Sequence, residues 1–325
     1  MQTKTYYKYA QDVIGGKVVS GKFIQLAAER FFSMMEDDRY EFKEKKADEV
    51  IEFFSILQHF TGRHAGKSFI LQPWQQFVIA AIYGFYIKET GERLVKYVYI
   101  EIARKNGKTA FAAGLSLYHL IADGEMDLAA NSKEQAKIAF KFCSQFAKGI
   151  DPKGKDLVSY RDKVKFEKML SLLQVFAADD SKLDGFNASM YLIDEYHAAK
   201  NTGLKDVLQS SQGMRDNPMA VIITTAGFDK LGPCYQYREM CTEVLSGLKE
   251  NDALFAAIFS PDEGDDWKDP ETWQKSNPNL GITVKPQYLQ TQVQSANNAP
   301  SEEVGIKTKN FNIWCDSETV WIPDH

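Results

Sequence analysis

The chain has 325 residues, 44% of them hydrophobic and 26% charged, and a net charge of −5. This is the composition of a globular protein with one large domain, or a large and a small one; it excludes a wholly basic nucleic-acid binder and leaves room only for a local basic patch on an acidic body. No run of about 18 apolar residues marks a membrane span, "MQTKTYYKYA" has no apolar signal-peptide core, and Cys143, Cys234, Cys241 and Cys315 lie at neither zinc nor disulfide spacing, which fits a reducing cytoplasm.

Residues 1–60 read as helical, since "GKFIQLAAERFFSMMEDD" and "KKADEVIEFFSILQHF" repeat apolar residues at i, i+3, i+4 and i+7. "TGRHAGKSFILQPWQQ" reads as a turn and a short strand, and "WQQFVIAAIYGFYIKE" as a helix running to a break near Glu92. "RLVKYVYIEIA", residues 93–103, is β-branched and aromatic and predicts a strand. Residues 110–122 predict an apolar helix, and "DLAANSKEQAKIAFKFCSQFA" a strand running into a helix. Residues 155–176 are charged and irregular, a β excursion. "SMYLIDEYH" and "PMAVIITTAGFD" are buried strands that end in polar residues, with a helix in "LKDVLQSSQGM" between them. "CYQYREMCTEVLSGL" is a further helix and "ALFAAIFS" a further strand. Continuous apolar strands alternating with helices predict an α/β fold with a mostly parallel sheet covered on both faces. After Pro261 the chain turns acidic and rich in Pro, Asn and Gly, and two helices follow. The predicted division is a helical region over 1–60, an α/β core over 61–260 and a small helical lid over 261–325.

Gly107-Lys108-Thr109 falls between a strand and a helix, where backbone N–H groups of a helix N-terminus can face an anion. The early glycine of the G-x-x-x-x-G-K-[ST] pattern is missing, with Ile102 in its place. In an ATP site Lys108 reaches the β and γ phosphates and the Thr109 hydroxyl ligates Mg²⁺; otherwise the tripeptide is a solvated turn. Arg104 and Lys105 stand where such loops carry glycine, as plain surface charge or as cations that reach the γ-phosphate in cis. Asp194 and Glu195 end an apolar strand, an expensive place for acids. Asp194 suits Mg²⁺ held through water, and Glu195 suits orienting an attacking water. Thr224 and Thr225 end the next apolar strand, and in a doubly wound sheet ligands sit outside such strand ends. Gln75, beside Trp74, could read an adenine edge. His197 either couples the acids to a neighbour or caps the loop. Should subunits form a ring, Arg215 is the first candidate for a trans-acting cation and Lys182 the second, both being otherwise surface residues.

"PWQQF", "ARKNGKT", "NSKEQA", "LDGFNASMYLIDEYH", "VIITTAGFD", "SNPNLG" and "NFNIW" occur in an order that resembles the ATPase portion of the large terminase subunit of tailed bacteriophages, in the branch related to phage HK97. Terminases commonly carry a basic residue instead of the early glycine, in keeping with Ile102 and Arg104. The resemblance implies a P-loop fold of the ASCE or RecA-like kind and an ATP- and Mg²⁺-dependent motor that packages double-stranded viral DNA in the host cytoplasm. It implies a Walker A loop over Arg104, Lys105, Asn106, Gly107, Lys108 and Thr109, and a Walker B pair at Asp194 and Glu195. It also implies an adenine-binding Gln75 and a coupling motif from Thr224 through Thr225 to Gly227. Implied partners are a small terminase subunit, the portal protein, duplex DNA and further copies in a ring. A metal-dependent nuclease domain normally follows, and the expectation is that it lies outside this chain. A helicase-like translocase would need a second RecA-like domain in the roughly 130 residues after Glu195. A nucleotide-gated binding module would have no use for Glu195.

Overall fold

In a computed structural model of the chain, residues 4–60, 65–130, 132–177 and 187–316 are described. Three helices open the fold: α1 (Thr5–Ile14), α2 (Lys22–Glu36) and, after the short strand β1 (Tyr40–Phe42), α3 (Glu44–Ile56). The predicted strand near residue 68 is reduced to a single bridge between Gln58 and Ser68. Helix α4 (Pro73–Tyr83) starts at a proline and a reciprocal Gln72–Gln75 capping box.

The helix does not reach Glu92. It ends at Gly84, and β2 (Phe85–Ile87) pairs antiparallel with β1. Packing makes the break: a Cβ on Gly84 would lie 2.1 Å from the Phe42 ring and 2.6 Å from Ala80 O. Phe31, Phe42, Phe77 and Phe85 then meet edge-on, with centroids 4.9–5.5 Å apart. Each such pair stabilises by about 0.5–1.5 kcal/mol beyond its burial.

The central sheet holds eight strands in the order β10-β3-β9-β8-β4-β7-β6-β5. These are β3 (Tyr97–Glu101), β4 (Met126–Ala130), β5 (Leu157–Ser159), β6 (Lys163–Phe166), β7 (Ser171–Ala177), β8 (Met190–Asp194), β9 (Met219–Thr224) and β10 (Leu254–Ile258). The strands from β10 to β7 run parallel, while β6 and β5 return antiparallel. The excursion over 155–176 is thus the outer part of this sheet, with β7 parallel to β4. Helices α5 (Lys108–Ala122), α6 (Lys133–Ile150), α7 (Gly203–Ser210) and α8 (Pro233–Leu245) connect the strands. Every residue of β4, β8, β9 and β10 whose exposure is described is buried, as apolar strands covered on both faces require.

One hydrophobic core runs from Tyr6 to Trp314 and includes α1–α4. A smaller one joins Trp267, Trp273, Val284, Leu289, Ala296, Ile306 and Phe311. Its elements are α9 (Trp273–Ser276), α10 (Pro286–Asn298) and α11 (Pro300–Phe311).

Candidate active site

The parallel strands end on one edge. Glu101, the last residue of β3, is in register with Thr224 of β9 and Ile258 of β10, and Asp194 with Ile223 of β9 and Ala130 of β4. Strand β9 separates β3 from β8, so the threonine tip lies between the glycine loop and the acids. All three strand tips converge.

The loop after β3 is shaped by two left-handed residues, Lys105 at φ 70° and Gly107 at φ 81°. Gly107 caps α5, whose first residue is Lys108. The first N–H groups of a helix have no intrahelical acceptor and point outward as an anion cradle. Lys108 is 6% exposed, and its Nζ lies 3.3 Å from Asp194 Oδ1 and also donates to Glu195 Oε1. Burial lowers the affinity of Lys108 for its proton, but the two carboxylates outweigh it and raise it above the ordinary value. Burial raises Asp194 against the pull of Lys108. Burial also pushes Glu195 up, yet His197 and Lys108 hold it down at about 2.

Glu195 sits at φ 57° and opens a 3-10 turn, Tyr196–Ala198. That turn brings His197 Nδ1 to 3.2 Å from Glu195 Oε2 and 3.1 Å from Thr224 Oγ1. The His197 backbone N–H donates to the same Thr224 oxygen at 3.0 Å, and Thr225 Oγ1 lies 3.4 Å from the imidazole. His197 therefore joins the acids to the threonine pair.

Several predicted residues are placed differently. The Asn106 side chain is spent inside the protein: Nδ2 donates to Ala103 O and Asn277 Oδ1, and Oδ1 accepts from Asn279 N. Lys105 Nζ stands 3.7 Å above the Tyr288 ring of α10, and Arg104 is exposed with its N–H donating to Lys309 O. Gln75 Oε1 accepts the Gln72 N–H at 2.8 Å. Gln72, rather than Gln75, lines a cavity of about 370 Å³ with Tyr9, Pro73, Trp74, Phe259 and Leu280. Arg215 is not brought to the site. Its guanidinium donates to Asn187 O and lies 3.6 Å from Glu125, at the opposite, amino ends of β8 and β4. Lys182 lies outside the described residues, as do Asn131 and residues 183–186 of the quoted motifs. Thr109 is half-buried on the first turn of α5, and Gly227 packs against His197 and Trp314.

Two groups around the site escaped the sequence reading. Asn279 accepts from Trp74 Nε1 at 2.8 Å and donates to Asn106 O at 2.8 Å, tying α4 and the cavity wall to the loop. Glu101, fully buried, accepts from Tyr99 OH, Trp314 Nε1, Arg238 Nε and Asn312 Nδ2 at 2.7–3.2 Å. The acid inside "YVYIEIA" was the available signal, because a carboxylate at a buried strand position demands partners.

Comparison with known proteins places this geometry. The family model described as "Terminase large subunit, ATPase domain" matches residues 73–243, and "Terminase large subunit, endonuclease domain" matches residues 249–325. The second match corrects the expectation that the nuclease portion lies outside the chain. Even so, its first strand, β10, belongs to the central sheet, and among the described residues no three His, Cys, Asp or Glu converge on a metal-sized site. Protein YmfN of Escherichia coli (strain K12) is 38% identical over 138 residues, 42% of this chain and 30% of that one. The terminase large subunit of Enterobacteria phage HK97 is 24% identical over 279 residues, 81% of this chain and 51% of that one. The crystal structure of the HK97 large terminase superposes with a TM-score of 0.71 at 22% identity, over 83% of this chain and 55% of that one, which establishes a shared fold. The matches span about half the length of these relatives or less.

Proposed function

This chain belongs to the terminase large subunit family, and from that premise we propose that it hydrolyses ATP to drive double-stranded viral DNA into a procapsid. The reading rests on one observation above all. A buried ammonium, two carboxylates and a threonine pair meet at the carboxyl edge of a parallel sheet, beside a left-handed glycine that opens a helix.

The phosphates of ATP dock on the N–H groups at the start of α5, and Lys108 leaves the carboxylates for the β and γ phosphates. The base stacks in the cavity beside Trp74, whose size falls in the range of small-ligand pockets. The Thr109 hydroxyl and the Asp194 carboxylate are hard oxygen donors that fit Mg²⁺. Bound there, Mg²⁺ neutralises charge on the transferred phosphoryl group. Removing Lys108 from Glu195 strips away part of what holds that carboxylate low, while its burial stays. Glu195 therefore becomes a better proton acceptor only when nucleotide has engaged Lys108. A water aligned by Glu195 gives up a proton to it and attacks the γ-phosphorus, and the bond to the β–γ bridging oxygen breaks. ADP and inorganic phosphate are the products, and His197 passes the change to Thr224 and Thr225.

Glu195→Gln is expected to keep nucleotide binding and lower kcat by about 10²–10⁴-fold, read by phosphate release and by fluorescent-nucleotide titration. Unchanged hydrolysis would leave a nucleotide-gated binding module as the better reading. A cation donated by a neighbouring copy typically adds about 10³–10⁵ to kcat. Specific activity should therefore climb with protein concentration; a dilute monomer at full turnover contradicts a shared site. The partners that go with this reading are duplex DNA, the portal protein, a small terminase subunit and further copies in a ring, in the host cytoplasm. Among the described residues no helix is long and apolar enough to cross a membrane.

A further inference from the structure

Resting on that reading, we propose that the outer face of α6 and the loop after it form the surface that holds the phosphate backbone of the duplex. The chain is acidic overall, yet residues 133–155 carry six lysines and two carboxylates. Lys133, Lys137, Lys141 and Lys148 are all exposed on α6. At 3.6 residues per turn they fall within an arc of about 80° and span about 22 Å, a stripe along one side of the helix. Exposed Lys153 and Lys155 extend it past the helix C-terminus.

Among the described residues Lys137, Lys141, Lys148, Lys153 and Lys155 enter no ion pair, whereas Lys165 and Lys168 of the next hairpin are paired with Glu167 and Asp156 at 2.7 and 2.9 Å. Of the two carboxylates, Asp151 is engaged by the following loop, accepting from the Asp156 and Leu157 N–H groups at 2.6 and 3.0 Å. Exposed Glu134 lies beside the stripe at its start.

The stripe stands on a rigid support. The underside of α6 buries Ala136, Phe140, Cys143 and Phe146, and Ser144 Oγ is 2.6 Å from Ser159 Oγ of β5. The helix starts two residues after β4, whose Ala130 is the register partner of Asp194. A basic stripe thus begins at the nucleotide edge and is fixed to the strand beside the catalytic acids. A duplex, with its dense and regular phosphate charge, is the partner such a stripe complements.

The test is binding of a fluorescein-labelled DNA duplex of about 30 base pairs, roughly three turns, to the whole chain over a range of salt. The variant is Lys137→Glu/Lys141→Glu/Lys148→Glu. The control is Lys45→Glu/Lys88→Glu/Lys249→Glu, an equal charge change at exposed lysines elsewhere. The α6 variant should bind on the order of 10–100-fold more weakly near 0.1 M salt, with a salt slope shallower by about 3. ATP hydrolysis without DNA should stay at the wild-type rate. Wild-type affinity and slope in the α6 variant, an equal loss in the control, or no duplex binding by the wild type at low salt would each overturn the proposal. Failure of the motor reading is separately visible, as hydrolysis indifferent to Glu195→Gln.

Discussion

Lys108 pulls both of its carboxylate partners down, yet the outcomes differ: Asp194 remains raised by burial while Glu195 is held low. The difference follows from neighbours, since Glu195 has His197 beside it as well. Replacing Lys108 by Met should therefore raise the pH at which Glu195 takes up a proton and weaken nucleotide binding by at least tenfold, measured by carboxylate NMR titration and fluorescent-nucleotide binding. An unmoved Glu195 would contradict the pairing. A second buried acid lies away from the site. Asp127 on β4 is 2% exposed, with Oδ2 unpartnered. Burial, with Glu125 adding to it, pushes it up to about 7. Its folded pKa exceeds its unfolded one, so the fold binds the extra proton. Stability from this group is then full below about pH 4 and is lost as pH rises through about 7, by on the order of 2–4 kcal/mol. Asp127→Asn should flatten that decline in denaturant melts at about pH 5 and 8; an unchanged pH dependence would refute it. Asp127 could not be singled out in "MDLAA", because its burial depends on elements outside that stretch, with β7 and β8 flanking β4 in the sheet and α5 and α6 packed against it.

At the scale of elements, local chemistry made the site legible. A β-branched strand before Gly107-Lys108-Thr109, an apolar helix after it and acids ending an apolar run are short-range patterns, and the sheet brings them together. Where packing between distant elements decides, the pattern misleads: 74–89 repeats like a helix, but Phe42 occupies the space that a side chain at position 84 would need. Gly84→Ala should cost about 1–3 kcal/mol, seen as a lowered denaturation midpoint. A neutral result would mean that β1 can move away. The inward turn of the Asn106 side chain was not legible for the same reason, since Asn277 and Asn279, more than 170 residues on, claim it.

Across the whole molecule, residues 309–315 fasten the nucleotide edge to the smaller core. Asn312, left-handed at φ 55°, accepts from Ala226 N at 2.7 Å and donates to Phe259 O at 2.7 Å and to Glu101. Cys315 N donates to Gly227 O, and Arg104 N to Lys309 O. Whatever moves Thr224–Gly227 therefore pulls on the end of α11. Asn312→Ala should lose about 2–3 kcal/mol of stability, because it strands a buried carbonyl and N–H, checked by chemical denaturation. None of these contacts is local, which is why "NFNIW" signalled only a family likeness. The central claim is that the three strand tips enclose one nucleotide and that Lys108 changes partners when it arrives. A crystal structure with Mg²⁺ and a non-hydrolysable ATP analogue tests this most directly. It should place Lys108 Nζ within hydrogen-bond reach of the γ-phosphate, with Glu195 released. A nucleotide bound elsewhere, or Lys108 still held between Asp194 and Glu195, would contradict it.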